Sequence, residues 1–133
     1  MAFPKHADGV ISGASWDTVI NGLETRLSAG AVRTRDSITL GAAATTFAVN
    51  GAYTTFIELT GDGGGNIIAT ITGAVVGQIL VLQFVDALIQ ITDDNTHAAD
   101  SVDLSAVFTS ADDTILVLIY DSVSWYEVSR SVN

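Results

Sequence analysis

The sequence predicts an all-β domain, an antiparallel β-sandwich of jelly-roll type, preceded by one short helix. Three observations carry this. From Ser37 onward, short runs rich in Val, Ile, Thr and aromatics are punctuated by Gly, Asp, Asn and Ser, as strands and turns are. Helical periodicity is confined to the first 36 residues. Two segments, Gln78–Asp86 and Thr114–Asp121, share an Ile-Leu-Val-Leu core followed by an aromatic residue.

Taken in order, residues 1–36 form an N-terminal arm and a short amphipathic helix, and residues 37–133 form the β-sandwich domain. Ser15 caps the expected helix, Asp17 sits in its first turn where the dipole favours negative charge, and Arg26 lies near its end. Gly30 is its stop signal. Trp16, Ile20, Leu23 and Leu27 fall on one stripe, with Val19 beside it, in an a/d spacing that lasts less than two heptads. The stripe suits either packing against the chain's own domain or a short bundle around a symmetry axis. Gly22 weakens the helix by roughly 1 kcal/mol relative to Ala, so it needs a partner surface.

Nine strands are expected: Ser37–Leu40, Thr45–Val49, Tyr53–Leu59, Asn66–Thr72, Gln78–Val85, Leu88–Thr92, Ser101–Leu104, Thr114–Tyr120 and Ser124–Arg130. Polar and apolar residues alternate from Tyr126 to Arg130. By contrast Ile79–Leu82 and Ile115–Ile119 are continuously apolar, the pattern of a strand covered on both faces. A two-layer sandwich covers only one, so the other must meet the helix or another subunit, an argument for oligomerisation. Each Ile-Leu-Val-Leu segment is followed by a tight turn and a further strand, which reads as two similar β-hairpins. The repeat does not continue, and a solenoid is not expected.

Composition excludes several functions. Of 133 residues 48% are hydrophobic, which excludes intrinsic disorder despite a net charge of −10. Only five Lys and Arg oppose fifteen acids, mainly Asp, so neither nucleic acid nor an anionic membrane is an expected partner. The acidic surplus fits a salty habitat or a need for colloidal solubility equally well. Without cysteine there is no disulfide and no thiolate zinc site. The start, Met1 to His6, lacks the apolar segment of a signal peptide, so a cytosolic product is expected.

No motif assembles a catalytic centre, and no enzyme is expected. Gly61-Asp62-Gly63-Gly64-Gly65-Asn66 lacks the lysine and following helix of a phosphate loop, and reads as a long hairpin loop with positive φ angles. Asp93 to Asp100, with Asp103 beyond, supplies oxygens that calcium favours, but His97 and Ala98 break the EF-hand spacing; it reads as a solvated loop. Gly13-Ala14-Ser15-Trp16-Asp17 lacks the strand and second glycine of a nucleophile elbow. With only His6 and His97 in the chain, a Ser-His-Asp triad has little support. Asp112-Asp113 reads as a solvated turn. Of Trp125 and Tyr126, one faces the core and the other points outward, as a sugar platform or an interface anchor. No cofactor and no metal ligand is assigned.

The series Gly77–Leu82, Ile91–Asn95, Asp112–Leu118 and Trp125-Tyr126-Glu127-Val128-Ser129-Arg130-Ser131 resembles the β-module that closes head-decoration and tail-fibre or tail-spike proteins of tailed bacteriophages. The likeness covers roughly residues 60–133. Phe3 to Gly9, leading into the helix with Trp16, resembles openings of small phage structural proteins. The resemblance implies a homotrimeric structural component, and the short chain points to a decoration (cement) protein on the outer surface of the head, made in the host cytoplasm. It further implies that Phe3, Pro4, Lys5, His6 and Val10 form an arm onto the major capsid protein. Trp16, Ile20, Leu23 and Leu27 would then lie near the threefold axis. The alternative is a tail-fibre or head-fibre module that binds host-surface glycans.

Overall fold

A computed structural model describes residue 21, residues 34–51 and residues 54–131. By its packing the chain divides into two units, residues 1–33 and 34–133. The helix expected over 15–28 lies, except for Asn21, outside the described residues, as do the expected arm and the stripe from Trp16 to Leu27.

The described residues of the second unit are all-β, as expected. Its strands are β1 (Thr34–Thr39), β2 (Thr46–Ala48), β3 (Thr54–Thr60), β4 (Asn66–Ile68), β5 (Thr70–Thr72), β6 (Ile79–Phe84), β7 (Ile89–Ile91), β8 (Val102–Asp103), β9 (Phe108–Thr109), β10 (Ile115–Tyr120) and β11 (Trp125–Arg130). They form a six-stranded sheet in the order β1-β3-β6-β10-β11-β8, a pair β2-β5, and a trio β4-β7-β9.

The pairing corrects the expected sandwich. Antiparallel neighbours would dominate a jelly roll, but here β1 with β3, β3 with β6, β2 with β5 and β4 with β7 are all parallel. Phe56 pairs with Val81, Asn66 with Ile89 and Thr46 with Thr70, so each strand meets its counterpart one circuit later. This is a solenoid-like stack of three coils, contrary to the expectation of none. Coil 1 holds β1 and β2, coil 2 holds β3 to β5, and coil 3 opens with β6 and β7. The repeat escapes notice because only inward positions must be apolar, and the corners vary in length.

Inward side chains stack from coil to coil. Ile57, Leu82 and Leu116 form one ladder, Leu59 and Phe84 a second, Ile68, Ile91 and Phe108 a third, and Phe47 with Ile71 a fourth. Every member is buried. A fully buried Leu or Ile contributes about 1.5–3 kcal/mol by leaving water, which is why these positions tolerate nothing polar. The Phe84 and Phe108 rings meet at 4.9 Å.

Corners are tied by polar side chains. Buried Asn66 donates from Nδ2 to Gly41 O (3.1 Å) and Ala44 O (3.4 Å) and accepts from Asp62 N (2.9 Å), joining coils 1 and 2. Asp86 accepts from Gly61 N (3.1 Å), joining coils 2 and 3. Ser110 Oγ accepts from Ile89 N (3.0 Å) and donates to Asp86 O (2.9 Å), joining coil 3 to the layer above it. Gly73, at φ +84°, closes coil 2 where a Cβ would collide with the Val49 carbonyl.

Above coil 3 the chain turns back. Ser101 bridges Thr70 antiparallel, β9 runs against β7, and β10 runs against β6. The two Ile-Leu-Val-Leu segments thus face each other, Val81 opposite Val117 and Leu80 opposite Leu118. The expected hairpin of Thr114–Tyr120 with Ser124–Arg130 is present as β10–β11. That of Gln78–Val85 with Leu88–Thr92 is not, because residues 85–88 turn a corner and β7 lies in another sheet. The 61–65 loop is likewise a corner between β3 and β4 rather than a hairpin, although Gly63 and Gly65 do have positive φ.

Candidate functional site

The turn between β10 and β11 and the loop after β7 bring together the chemistry-bearing residues that lie far apart in sequence. His97, at φ +56°, places Nδ1 2.8 Å from Ser124 Oγ and 2.7 Å from Tyr126 Oη. Its Nε2 lies 3.6 Å from Asp121 Oδ2. This is a serine, a histidine and a carboxylate in sequence-distant contact, which inspection of residue spacing missed. The only signal available was that Asp121, Ser124 and Tyr126 share one short turn while His97 is one of two histidines.

The grouping is built as a clasp. Asp121 accepts through Oδ1 from Val123 N (2.8 Å) and Ser124 N (3.0 Å), and these bonds, Ser124 first, hold its carboxyl below the usual range. Ser124 is fully buried, so no substrate carbonyl reaches its hydroxyl, and Tyr126 competes for the same imidazole nitrogen. A nucleophile needs access and an undivided base. The arrangement instead pins the 93–100 loop to the hairpin turn. Tyr120 extends the clasp by donating to Asp100 Oδ1 (3.1 Å), and burial pushes its phenol pKa up.

The acidic loop at 93–100 is also occupied with its own backbone. Asp94 accepts from Thr96 Oγ1 (2.5 Å) and Thr96 N (2.9 Å), chiefly the former lowering its pKa. Asp93 accepts from Leu104 N (3.0 Å). The Asn95 amide, oriented with nitrogen toward both, sits 3.0 Å from Asp93 Oδ1 and 3.3 Å from Asp103 Oδ1. Among the described residues no group of three His, Asp or Glu is placed to hold a metal ion.

Beside β8 and β11 lies a shallow open groove of about 410 Å³, lined by Asp103, Leu104, Ser105, Tyr126, Glu127 and Val128. Glu127 and Arg130 form its firmest feature. A break in the β10–β11 register, where Val117 faces Ser129 and Leu118 faces Glu127, makes Val128 the extra, bulged residue. Arg130 donates to Glu127 through Nε (2.5 Å) and Nη2 (2.6 Å), and its guanidinium lies 5.4 Å from the Phe108 ring centre, over the end of the core. Ser105 adds N–H and hydroxyl donors at 2.9 and 3.0 Å. Arg130 above all, with Ser105, lowers the Glu127 pKa to about 2. Trp125 is the core-facing aromatic and donates from Nε1 to Ile71 O (2.9 Å), while Tyr126 points outward to His97, as the alternation of the last strand implied. Asp112 and Asp113 are exposed in a turn.

The remaining feature is the outer face of the six-stranded sheet. Phe56, Val81, Val117 and Ser129 form one row, and Ile79, Ile119 and Tyr126 another. Ile79 is 49% exposed and Ile119 38%. Among the described residues, none supplies the second covering that the all-apolar strands demand at these two positions. Compared with protein-family models, curated proteins and solved structures, the chain matches none.

Proposed function

We propose that this chain is a non-enzymatic structural module of a virus particle, a decoration protein that binds the outer surface of a phage head as a symmetric oligomer and stabilises it. The observation that carries the reading is how the polar side chains are used. His97, Asp121, Asp94, Glu127, Asn66 and Asp86 are all engaged in tying loops, corners and the end of the core, while apolar side chains such as Ile79 and Ile119 on the outer sheet face stay exposed. Such a molecule is equipped to hold shape and to dock. The setting on a phage head rests on the resemblance of residues 60–133.

The test is the mass of the purified protein by light scattering, followed by sedimentation with empty phage heads. A trimer that saturates heads stoichiometrically supports the proposal. A protein that leaves heads unbound at every ratio refutes the decoration role. The groove beside Tyr126 favours one second reading, a fibre module binding host glycans, because an outward aromatic beside the Asp103 carboxylate suits a sugar ring. Retention on host polysaccharide, lost in Tyr126→Ala, would favour that reading.

A further inference from the structure

We propose that the corner aspartates Asp62, Asp86 and Asp112 act as one-way latches, each locking the corner of the layer before it and no other. This concerns how the stack is held, and it stands apart from what the stack docks onto.

Corners raise a problem that strands do not. Where the chain leaves one sheet for the next, its N–H groups lose their ladder partners and need another acceptor or water. Ala43, in the corner between β1 and β2, donates to Asp62 Oδ2 at 3.0 Å, across 19 residues. Gly61, between β3 and β4, donates to Asp86 Oδ1 at 3.1 Å and Oδ2 at 3.3 Å, across 25. Ala87, between β6 and β7, donates to Asp112 Oδ1 at 3.1 Å, again across 25. Each donor is a corner N–H, and each acceptor is the aspartate of the corner in the next layer. The same bond thus recurs in register with the stack.

The two end corners set the direction. The first, Gly41 to Ala44, contains no acid and only receives a latch. The last, Ala111 to Thr114, gives one through Asp112, while its own Ala111 N is taken by Thr114 Oγ1 of the same corner (3.2 Å) and its Asp113 N by Phe84 O (2.9 Å). A carboxylate suits the task because a charge-assisted bond is roughly twice as strong as a neutral one. Gly61 supplies the room, since a Cβ there would stand 3.3 Å from Asp86 Oδ1. At Asp62 the bond from Gly64 N–H, and next that from Ala43 N–H, hold the carboxyl below its usual pKa range.

An order of closing follows. A latch forms only when the later corner is in place, so the reversed layer that carries Asp112 secures the corner of coil 3, coil 3 that of coil 2, and coil 2 that of coil 1. Losing one aspartate opens the corner beneath it. The corner that bears the aspartate stays shut, because its own N–H is held by a different group. Asp86 and Asp112 show this most cleanly, since Asp62 also accepts from Gly64 N (2.8 Å) in its own corner.

The test is amide hydrogen exchange of the whole chain, read residue by residue by NMR. Asp86→Ala should speed exchange at Gly61 about tenfold and leave Ala87 unchanged. Asp112→Ala should speed exchange at Ala87 by a similar factor and leave Gly61 unchanged. The control is Asp113→Ala, which removes the same charge one position along, from a carboxylate that accepts from Gln83 Nε2 (3.3 Å) instead. Acceleration confined to the expected amide supports the proposal. Equal acceleration at all the corners, equal acceleration of Ala87 by the control, or no acceleration in either variant overturns it. Should Asp86→Ala fail to fold, Asp86→Asn decides, since it keeps an acceptor oxygen without the charge. Faster exchange at Gly61 alone then supports the latch, and unchanged exchange at Gly61 overturns it.

Discussion

Replacing Glu127 by Gln isolates one ion pair at the end of the core and makes its contribution readable through pH. The carboxylate side chain is 12% exposed and takes two bonds from Arg130 and two from Ser105. Its pKa falls from 4.5 to about 2 on folding. At roughly 1.4 kcal/mol per pH unit, that fall corresponds to about 3 kcal/mol as an upper bound, since water still reaches part of the pair. The pKa is depressed, so the contribution is fully present above about pH 5 and is lost as pH drops through 4.5 toward 2. Urea denaturation of wild type and Glu127→Gln at a series of pH values measures it. The wild type should exceed the variant by about 2–3 kcal/mol at pH 7, and the gap should narrow to under about 1 kcal/mol at pH 2. Asp62, Asp94 and Asp121, whose pKa values are also lowered, titrate in both proteins and cancel in the difference. A gap that stays constant from pH 7 to pH 2 would refute the assignment.

Other substitutions probe the stack itself. Asn66→Ala removes the two bonds that tie coil 2 to coil 1 and a third, to Asp62, within coil 2, all at a buried corner, and should cost about 2–4 kcal/mol in urea unfolding. Trp125→Phe loses the bond to Ile71 O and leaves a void, and should lower stability by about 2–3 kcal/mol, seen as a depressed melting temperature. Leu88 sits at φ +84° with 59% of its surface exposed, so Leu88→Gly should raise stability by about 0.5–1 kcal/mol, visible as a higher denaturation midpoint.

Strand positions were legible in the sequence because Val, Ile, Thr and aromatic runs end at Gly, Asp and Asn wherever the chain must turn. The expected run Asn66–Thr72 proves to be β4 and β5, bent at Ala69, and the expected Gln78–Val85 and Thr114–Tyr120 contain β6 and β10. The two residues of β9 were not foreseen, for a strand that short has no pattern of its own. Pairing direction was illegible for a different reason. An inward Leu82 beneath Leu116 looks the same from sequence whether its other neighbour, Ile57, runs parallel or antiparallel. The corner ties show why the coils remained hidden: Asn66, Asp86 and Ser110 do related work with three different side chains. The clasp at His97 joins partners 24 to 29 residues apart, a contact that exists only once β10 and β11 have folded back.

Coil 2 leaves from β3 and returns at Gly77 to begin β6 directly beside it. It is therefore a self-contained circuit, and a duplicated circuit would slot between its neighbours with both ends of the stack unaltered. Each addition would lengthen the unit by one strand spacing, about 4.8 Å. Length in this architecture is a counted quantity, set in whole steps by insertion or deletion of one circuit, and the reversed layer of β9, β10 and β11 is where the count stops.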